Sequence, residues 1–119
     1  QVKQDLSKNY LVNFETVVKF DKEVKKLSKK YNLIKEDLNN FILDFDTIHQ
    51  EATSIKNNLY KVRLSNSNKN KGKRAGYRIY YYLKINDTVY LLTIYDKSQI
   101  ENINENTLNQ HIEELSKTI

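Results

Sequence analysis

Apolar side chains recur along this chain in two rhythms. From about Thr16, the positions Phe20, Val24, Leu27 and Tyr31 follow at spacings of four, three and four, the repeat of one helix face. Lys22, Lys25, Lys26, Lys29 and Lys30 occupy the other faces, and Asn32 offers a stop. A second stripe of Ile34, Leu38, Phe41, Phe45 and Ile48, widened by Leu33 and Ile42, predicts another helix at once. So short a link predicts an antiparallel helical hairpin with both stripes on a common surface. The rhythm then shortens to two. Tyr60, Val62 and Leu64 alternate with Lys61 and Arg63, and Tyr77, Ile79, Tyr81 and Leu83 alternate with Arg78, Tyr80 and Tyr82. Residues 88–95 are apolar almost throughout, as in a more buried strand, and Asn86-Asp87 before them reads as a hairpin turn.

The ends of the chain are weaker in pattern. After a polar lead over residues 1–9, read as flexible, Tyr10 to Phe14 predict a first strand. Leu108, Ile112 and Leu115 predict a closing amphipathic helix, with Asn104 and Asn106 as candidate caps. The expected order is strand, helix, helix, three strands, helix. This is an α+β domain over residues 10–119, with an antiparallel-rich small sheet and the helices packed on one of its faces. If Val62, Leu64, Ile79 and Leu83 meet the helices, alternation sends Lys61, Arg63 and Arg78 to the opposite, open face.

Composition narrows the chemistry. A chain of 119 residues suits one domain, and the absence of cysteine removes disulfide frameworks, thiolate metal sites and cysteine nucleophiles together, as suits a reducing cytosol. No apolar run approaches the roughly 20 residues of a membrane span, and the opening residues do not read as a signal peptide, so no membrane role is expected. The net charge of +5 hides a segregation: between Glu51 and Asp87 there is no acid and there are nine cations, leaving −4 to the remainder. Such a section is the footprint of a polyanion-binding face.

Several chemistries drop out. His49 and His111 read as ordinary helix-end or surface histidines away from the basic section. Asp44 and Asp46, two apart on a helix, do not face each other, and the basic section holds no carboxylate, so no metal site is expected. The stretch from Lys71 to Gly76 lacks the spacing and context of a nucleotide-binding glycine loop. What remains is cations interleaved with tyrosines, seven of the nine tyrosines falling between Tyr60 and Tyr95. Cations neutralise phosphates and aromatic faces stack on unpaired bases, which favours single-stranded nucleic acid. Tyr60, Tyr77 and Tyr81 are expected in the core, whereas Tyr80, Tyr82 and Tyr95 are candidates for the binding face. In RNA, a 2′-hydroxyl attacking its own 3′-phosphate needs geometry, stabilisation of phosphoryl charge and two proton transfers. Arginine, lysine and tyrosine can supply these without a cofactor.

Three segments, Leu59 to Leu64, Gly72 to Tyr81 and Tyr90 to Ser98, together resemble the RelE/ParE superfamily of bacterial type II toxins, most nearly its HigB/RelE-type messenger-RNA interferases. The resemblance covers most of the chain from about Tyr10 onward. It implies a RelE-like microbial ribonuclease fold and a ribosome-dependent, metal-independent endoribonuclease that cleaves messenger RNA in the ribosomal A site. It further implies contacts to 16S ribosomal RNA, a bacterial cytoplasmic location, no cofactor, and a cognate antitoxin that binds the toxin as a monomer within a hetero-oligomer. By the same resemblance, Lys61 and Arg63 fall on positions tied to phosphate binding and acid or base work, Arg78 on the charge-stabilising arginine, and Lys97 near a late basic residue that contacts the leaving group or phosphate. Lys73 and Arg74 match the family's basic approach that grips RNA, while Lys69 and Lys71 of the same basic loop and Tyr80, Tyr82 and Tyr95 are RNA-binding candidates from the residues themselves. The catalytic tyrosine of the family's C-terminal segment has no counterpart between Gln99 and Asn106, which leaves Tyr80, Tyr82, Tyr95 or Lys61 as carriers of that proton. A ParE-like gyrase poison and a non-catalytic RNA-binding module are the alternatives.

Overall fold

A computed structural model of the protein describes residues 13–84, 88–99 and 104–119. Its elements are β1 (Asn13–Thr16), α1 (Val18–Ser28), α2 (Ile34–Leu43), α3 (Phe45–His49), β2 (Thr53–Lys56), β3 (Leu59–Leu64), β4 (Tyr77–Lys84), β5 (Thr88–Asp96) and α4 (Glu105–Ser116). Short 3-10 turns at Lys73–Ala75 and Lys97–Gln99 flank the last two strands. The chain is α+β, as the two rhythms predict, with one five-stranded mixed sheet in the order β1-β5-β4-β3-β2. β1 runs parallel to β5 and the other pairings are antiparallel.

The helical hairpin packs as its stripes predict. Phe20 and Leu27 of α1, Ile34 and Phe41 of α2 and Phe45 of α3 are buried against Val62, Leu64, Tyr77, Ile79, Tyr81, Leu91 and Ile94 of the sheet. The aromatic rings interlock edge to face, with Phe41 and Phe45 centroids 5.7 Å apart and Phe45 and Tyr81 5.2 Å apart. The second predicted helix is two pieces, broken at Asp44, whose φ of −102° and ψ of 19° leave the helical region. Its carbonyl accepts from both Thr47 N and Ile48 N, so the chain restarts as α3. The two pieces still keep Phe45 and Ile48 against the sheet.

Two further features differ from the sequence expectation. β2 is an edge strand that no alternation announces, paired to β3 through an irregular register. The described part of β1 begins at Asn13; residues 10–12 of the expected first strand lie outside the described residues, as do the 1–9 lead and the Asn86-Asp87 turn. Most consequentially, the helices do not share one face. α4 packs on the opposite side, where Ile112 closes a second cluster with Leu59, Tyr80 and Leu92, flanked by Tyr82, Tyr90, Leu108 and Leu115. An apolar patch of Leu59, Tyr80 and Leu92 on that face needs a cover, and the stripe of α4 supplies it.

A bulge in β5 explains how one nearly continuous apolar run serves both faces. Tyr80 pairs with Thr93 and Tyr81 with Leu91, so Leu92 is the extra residue on β5. Val89, Leu91 and Ile94 thereby join the hairpin-side core, while Tyr90, Leu92 and Tyr95 lie with the α4 cluster. Glu23 of α1 secures the irregularity by accepting from Thr93 Oγ1 at 2.7 Å and Ile94 N at 3.1 Å.

Candidate functional site

The sheet face that α4 covers is covered only in part. Beyond the α4 cluster, β3 and β4 set Arg63 directly opposite Arg78, and β4 and β5 set Arg78 opposite Tyr95. One rung across three strands therefore reads Arg63, Arg78, Tyr95. Around it opens a cleft of about 550 Å³ whose lining includes Lys61, Lys73, Lys97, Glu51 and Glu105 as well as these three. The four cations that the resemblance marks as catalytic, Lys61, Arg63, Arg78 and Lys97, all line this one space.

Each is positioned by a local cause. Lys61 and Arg63 project here because Val62 and Leu64 on the alternate positions are buried in the core. Arg78 is only 7% exposed, and its guanidinium donates to the carbonyls of Arg74 at 2.8 Å, Lys73 at 3.2 Å and Tyr77 at 3.3 Å. It thus clamps the 3-10 turn of the basic loop while presenting the rest of its donor fork to the cleft. Lys97 opens the turn after β5, and its backbone N–H donates to Gly76 O at 3.0 Å. Gly76 must be glycine: a Cβ there would lie 2.2 Å from the Leu64 carbonyl oxygen.

The cleft carries an excess of positive charge. Like charges directly opposite on neighbouring strands destabilise a sheet, and Arg63 and Arg78 are so placed. Burial pulls the Arg78 pKa down from its ordinary value, and the neighbouring Arg63 pulls it further. Among the described residues neither arginine is within ion-pair distance of a carboxylate. Five cations and two carboxylates line the cleft. Lys61 donates to Glu105 Oε1, and Lys73 pairs with Glu51 at 3.2 Å on the rim.

The remaining binding candidates separate. Tyr95 lines the cleft, half-buried, and burial pushes its hydroxyl pKa up. The bulge at Leu92 is what turns Tyr95 to this side, which simple alternation from Leu91 would not do. Tyr80 is not available to a nucleobase: it is 0% exposed beneath α4, and its hydroxyl donates to Asn109 Oδ1 at 2.9 Å. Tyr82 packs into the same α4 cluster and does not line the cleft. Lys69 is likewise an internal strut rather than a surface cation. Its ammonium donates to Asp96 at 2.5 Å, to the Ala75 carbonyl at 3.2 Å and to Ser98 at 3.3 Å, using all three protons. Lys71 and Arg74 are exposed on the loop outside the cleft.

Both histidines lie away from this surface. His49 Nδ1 meets the Tyr81 hydroxyl at 2.6 Å with its ring stacked on Phe45, and His111 is exposed on α4. Among the described residues no group of three or more His, Cys, Asp or Glu side chains converges, and no helix is long and apolar enough to cross a membrane.

Sequence reasoning missed the cleft's acids. Glu105 follows the Asn104 cap, whose side chain accepts from Asn106 N at 2.8 Å and Thr107 N at 3.3 Å. The cap is visible in the sequence, but the docking of α4 beside Lys61 is a long-range event that no local pattern encodes. The arrangement can hold an anion such as a phosphodiester against the fixed guanidinium of Arg78, with Arg63 opposite it and Tyr95 lining the same cleft. No protein-family model and no curated protein sequence matches this chain.

Proposed function

We propose that this protein is the toxin of a type II toxin-antitoxin pair, with the RelE-like ribonuclease fold, and that it cleaves messenger RNA in the ribosomal A site of the bacterial cytoplasm without a metal. The observation that carries the reading is the rung of Arg63, Arg78 and Tyr95 with Lys61 and Lys97 around one partly covered cleft. In this reading the scissile phosphate sits over the rung. The guanidinium groups of Arg63 and Arg78 bind its non-bridging oxygens and stabilise the charge that grows on them as the 2′-hydroxyl attacks phosphorus. Because Arg78 is held by three carbonyls, its donors are pre-oriented and little reorganisation accompanies the reaction. Lys97 supplies a proton to the departing 5′-oxygen, and Tyr95 stacks on a neighbouring base. Lys71 and Arg74, exposed beside the cleft, meet ribosomal RNA. The antitoxin covers the basic face with acidic side chains, so its association falls steeply with salt.

Induced expression tests the reading. Growth arrest with new messenger-RNA 5′ ends mapped by primer extension is expected, and a folded Arg63→Ala/Arg78→Ala double variant loses both. A double variant that stays folded and fully toxic removes these arginines from the site. Arrest without cleavage but with loss of DNA supercoiling assigns the chain to gyrase poisons, and no arrest at all assigns it to non-catalytic RNA-binding modules.

A further inference from the structure

Alternation along β3 and β4 supplies the cleft with cations, and the first turn of α4 supplies it with an acid. Of the two carboxylates lining it, Glu51 belongs to the rim, in a pair with Lys73 in which both side chains are more than half exposed. Glu105, itself 59% exposed, differs in its partner: it reaches the largely buried Lys61 side chain, 24% exposed, which faces the interior of the cleft. Its backbone is set by the Asn104 cap, and the helix behind it is anchored by the fully buried Ile112. Oε1 accepts from Lys61 Nζ, and among the described residues Oε2 has no partner. A hydrogen bond from Lys61, then the charge of Lys61 and, beyond it, of Arg78, holds this carboxyl below the usual carboxylate range, which keeps it anionic and makes it a weaker base than a free carboxylate until the bond from Lys61 is loosened. Lys61 is committed as a donor to Glu105, whereas the carboxylate keeps, among the described residues, a free oxygen that can accept.

Resting on the ribonuclease reading above, we propose that Glu105 is the proton acceptor of the cleavage reaction, with Lys61 as the group that positions its carboxylate. Oε2 takes the proton of the attacking 2′-hydroxyl as the O2′–P bond forms. The P–O5′ bond breaks, and the 5′-oxygen leaves with a proton from Lys97. The products are a 2′,3′-cyclic phosphate and a 5′-hydroxyl end. The proton on Glu105 passes to water and Lys97 is reprotonated from water, so the cycle needs no co-reactant. This places a carboxylate from α4 in the role for which the C-terminal segment offers no tyrosine.

The same contact would look alike if Glu105 merely occupied the phosphate site and were displaced by RNA, but the two roles have opposite signs in a kinetic experiment. Single-turnover cleavage of a messenger RNA placed in the A site of programmed ribosomes is measured for the wild type, Glu105→Ala, Glu105→Gln and Glu105→Asp, with ribosome co-sedimentation and far-UV circular dichroism confirming that each variant folds and binds. As a proton acceptor, loss of the carboxylate lowers the cleavage rate about 100-fold with ribosome binding kept, Glu105→Asp retains part of the rate, and added formate restores Glu105→Ala in proportion to its concentration. Cleavage by Glu105→Gln at or above the wild-type rate overturns the proposal in favour of a displaced placeholder. A slow Glu105→Ala that formate does not rescue overturns it as well, leaving only a structural contact. Absence of cleavage by the wild type itself is a different result, which rejects the ribonuclease reading on which the proposal rests.

Discussion

The two faces of the sheet are built from the same strands and do opposite things. On the hairpin side, apolar side chains of β3, β4 and β5 meet apolar side chains of α1, α2 and α3 in one continuous core that includes six aromatic rings. On the other side the apolar cover is a small cluster around Ile112, and where it stops the rung of Arg63, Arg78 and Tyr95 begins. The first face stabilises the domain, and its stability holds two arginines opposite each other on the second, neither of them within ion-pair distance of a carboxylate among the described residues. The contrast puts the candidate site at the boundary of α4, where the apolar cover ends and the cationic rung starts.

The contrast can be broken from its strong side first. Phe41→Ala removes a fully buried ring that packs on Phe45 and Tyr81, and a loss of about 4 kcal/mol is expected in urea unfolding, the usual range for Phe→Ala in a core. A loss under about 1 kcal/mol would mean the hairpin side is not the principal core. On the α4 side, Ile112→Ala is expected to cost about 2 kcal/mol, at the low end for such truncations because the small cluster can collapse. Hydrogen exchange should quicken in α4 well before β4 and β5, since α4 is held to the sheet by few residues. Uniform acceleration across both faces would show that they unfold as one unit.

A subtler comparison sets the acid struts under the loop against the cleft. Asp96 is fully buried, and although burial pushes its carboxyl pKa up, hydrogen bonds from Lys69, Ser98 and Asn66 together outweigh it and hold the pKa below the ordinary value. Such a depressed group contributes stability that is fully present above the unfolded-state value of about 4 and is lost as pH falls from there through the folded-state value. Asp96→Asn is therefore expected to cost about 2 kcal/mol at neutral pH, as for hydrogen bonds to a charged group, and to flatten the acid limb of stability below about pH 4. An unchanged acid limb, followed by circular dichroism, would assign acid sensitivity to other carboxylates. Thermal unfolding is unmoved by Lys71→Ala in the same comparison, because that lysine is exposed on the loop.

Much of this molecule was legible in its amino-acid sequence because the information is local. Period-four and period-three stripes placed α1, α2 and α4 and named Phe20, Leu27, Ile34, Phe41, Phe45 and Ile112 as inward positions, all of which are buried. Alternation put Lys61, Arg63 and Arg78 on the side away from the hairpin, since strand geometry admits no other outcome once Val62 and Ile79 face the core. It also placed Tyr60, Tyr77 and Tyr81 with the hairpin core. The same logic misassigned Tyr80, which is fully buried beneath α4, because a side chain's face does not reveal what later packs on that face. Lys69 escaped it too, since composition cannot tell a solvated lysine from one whose three protons all meet acceptors.

Tertiary structure alone decided the rest. The bulge at Leu92 is a pairing register between distant strands, and it is what brings Tyr95 beside Arg78. The position of α4 depends on an apolar patch assembled from Leu59, Tyr80 and Leu92, residues of three different strands that no sequence window contains. That docking limits the cleft and carries Glu105 to Lys61 across 44 residues of chain. Charge and periodicity along the chain determined which residues could meet an anion. Only the packing of non-local surfaces determined which of them share one space, because burial energy depends on the area that elements cover together and not on the residues taken one at a time.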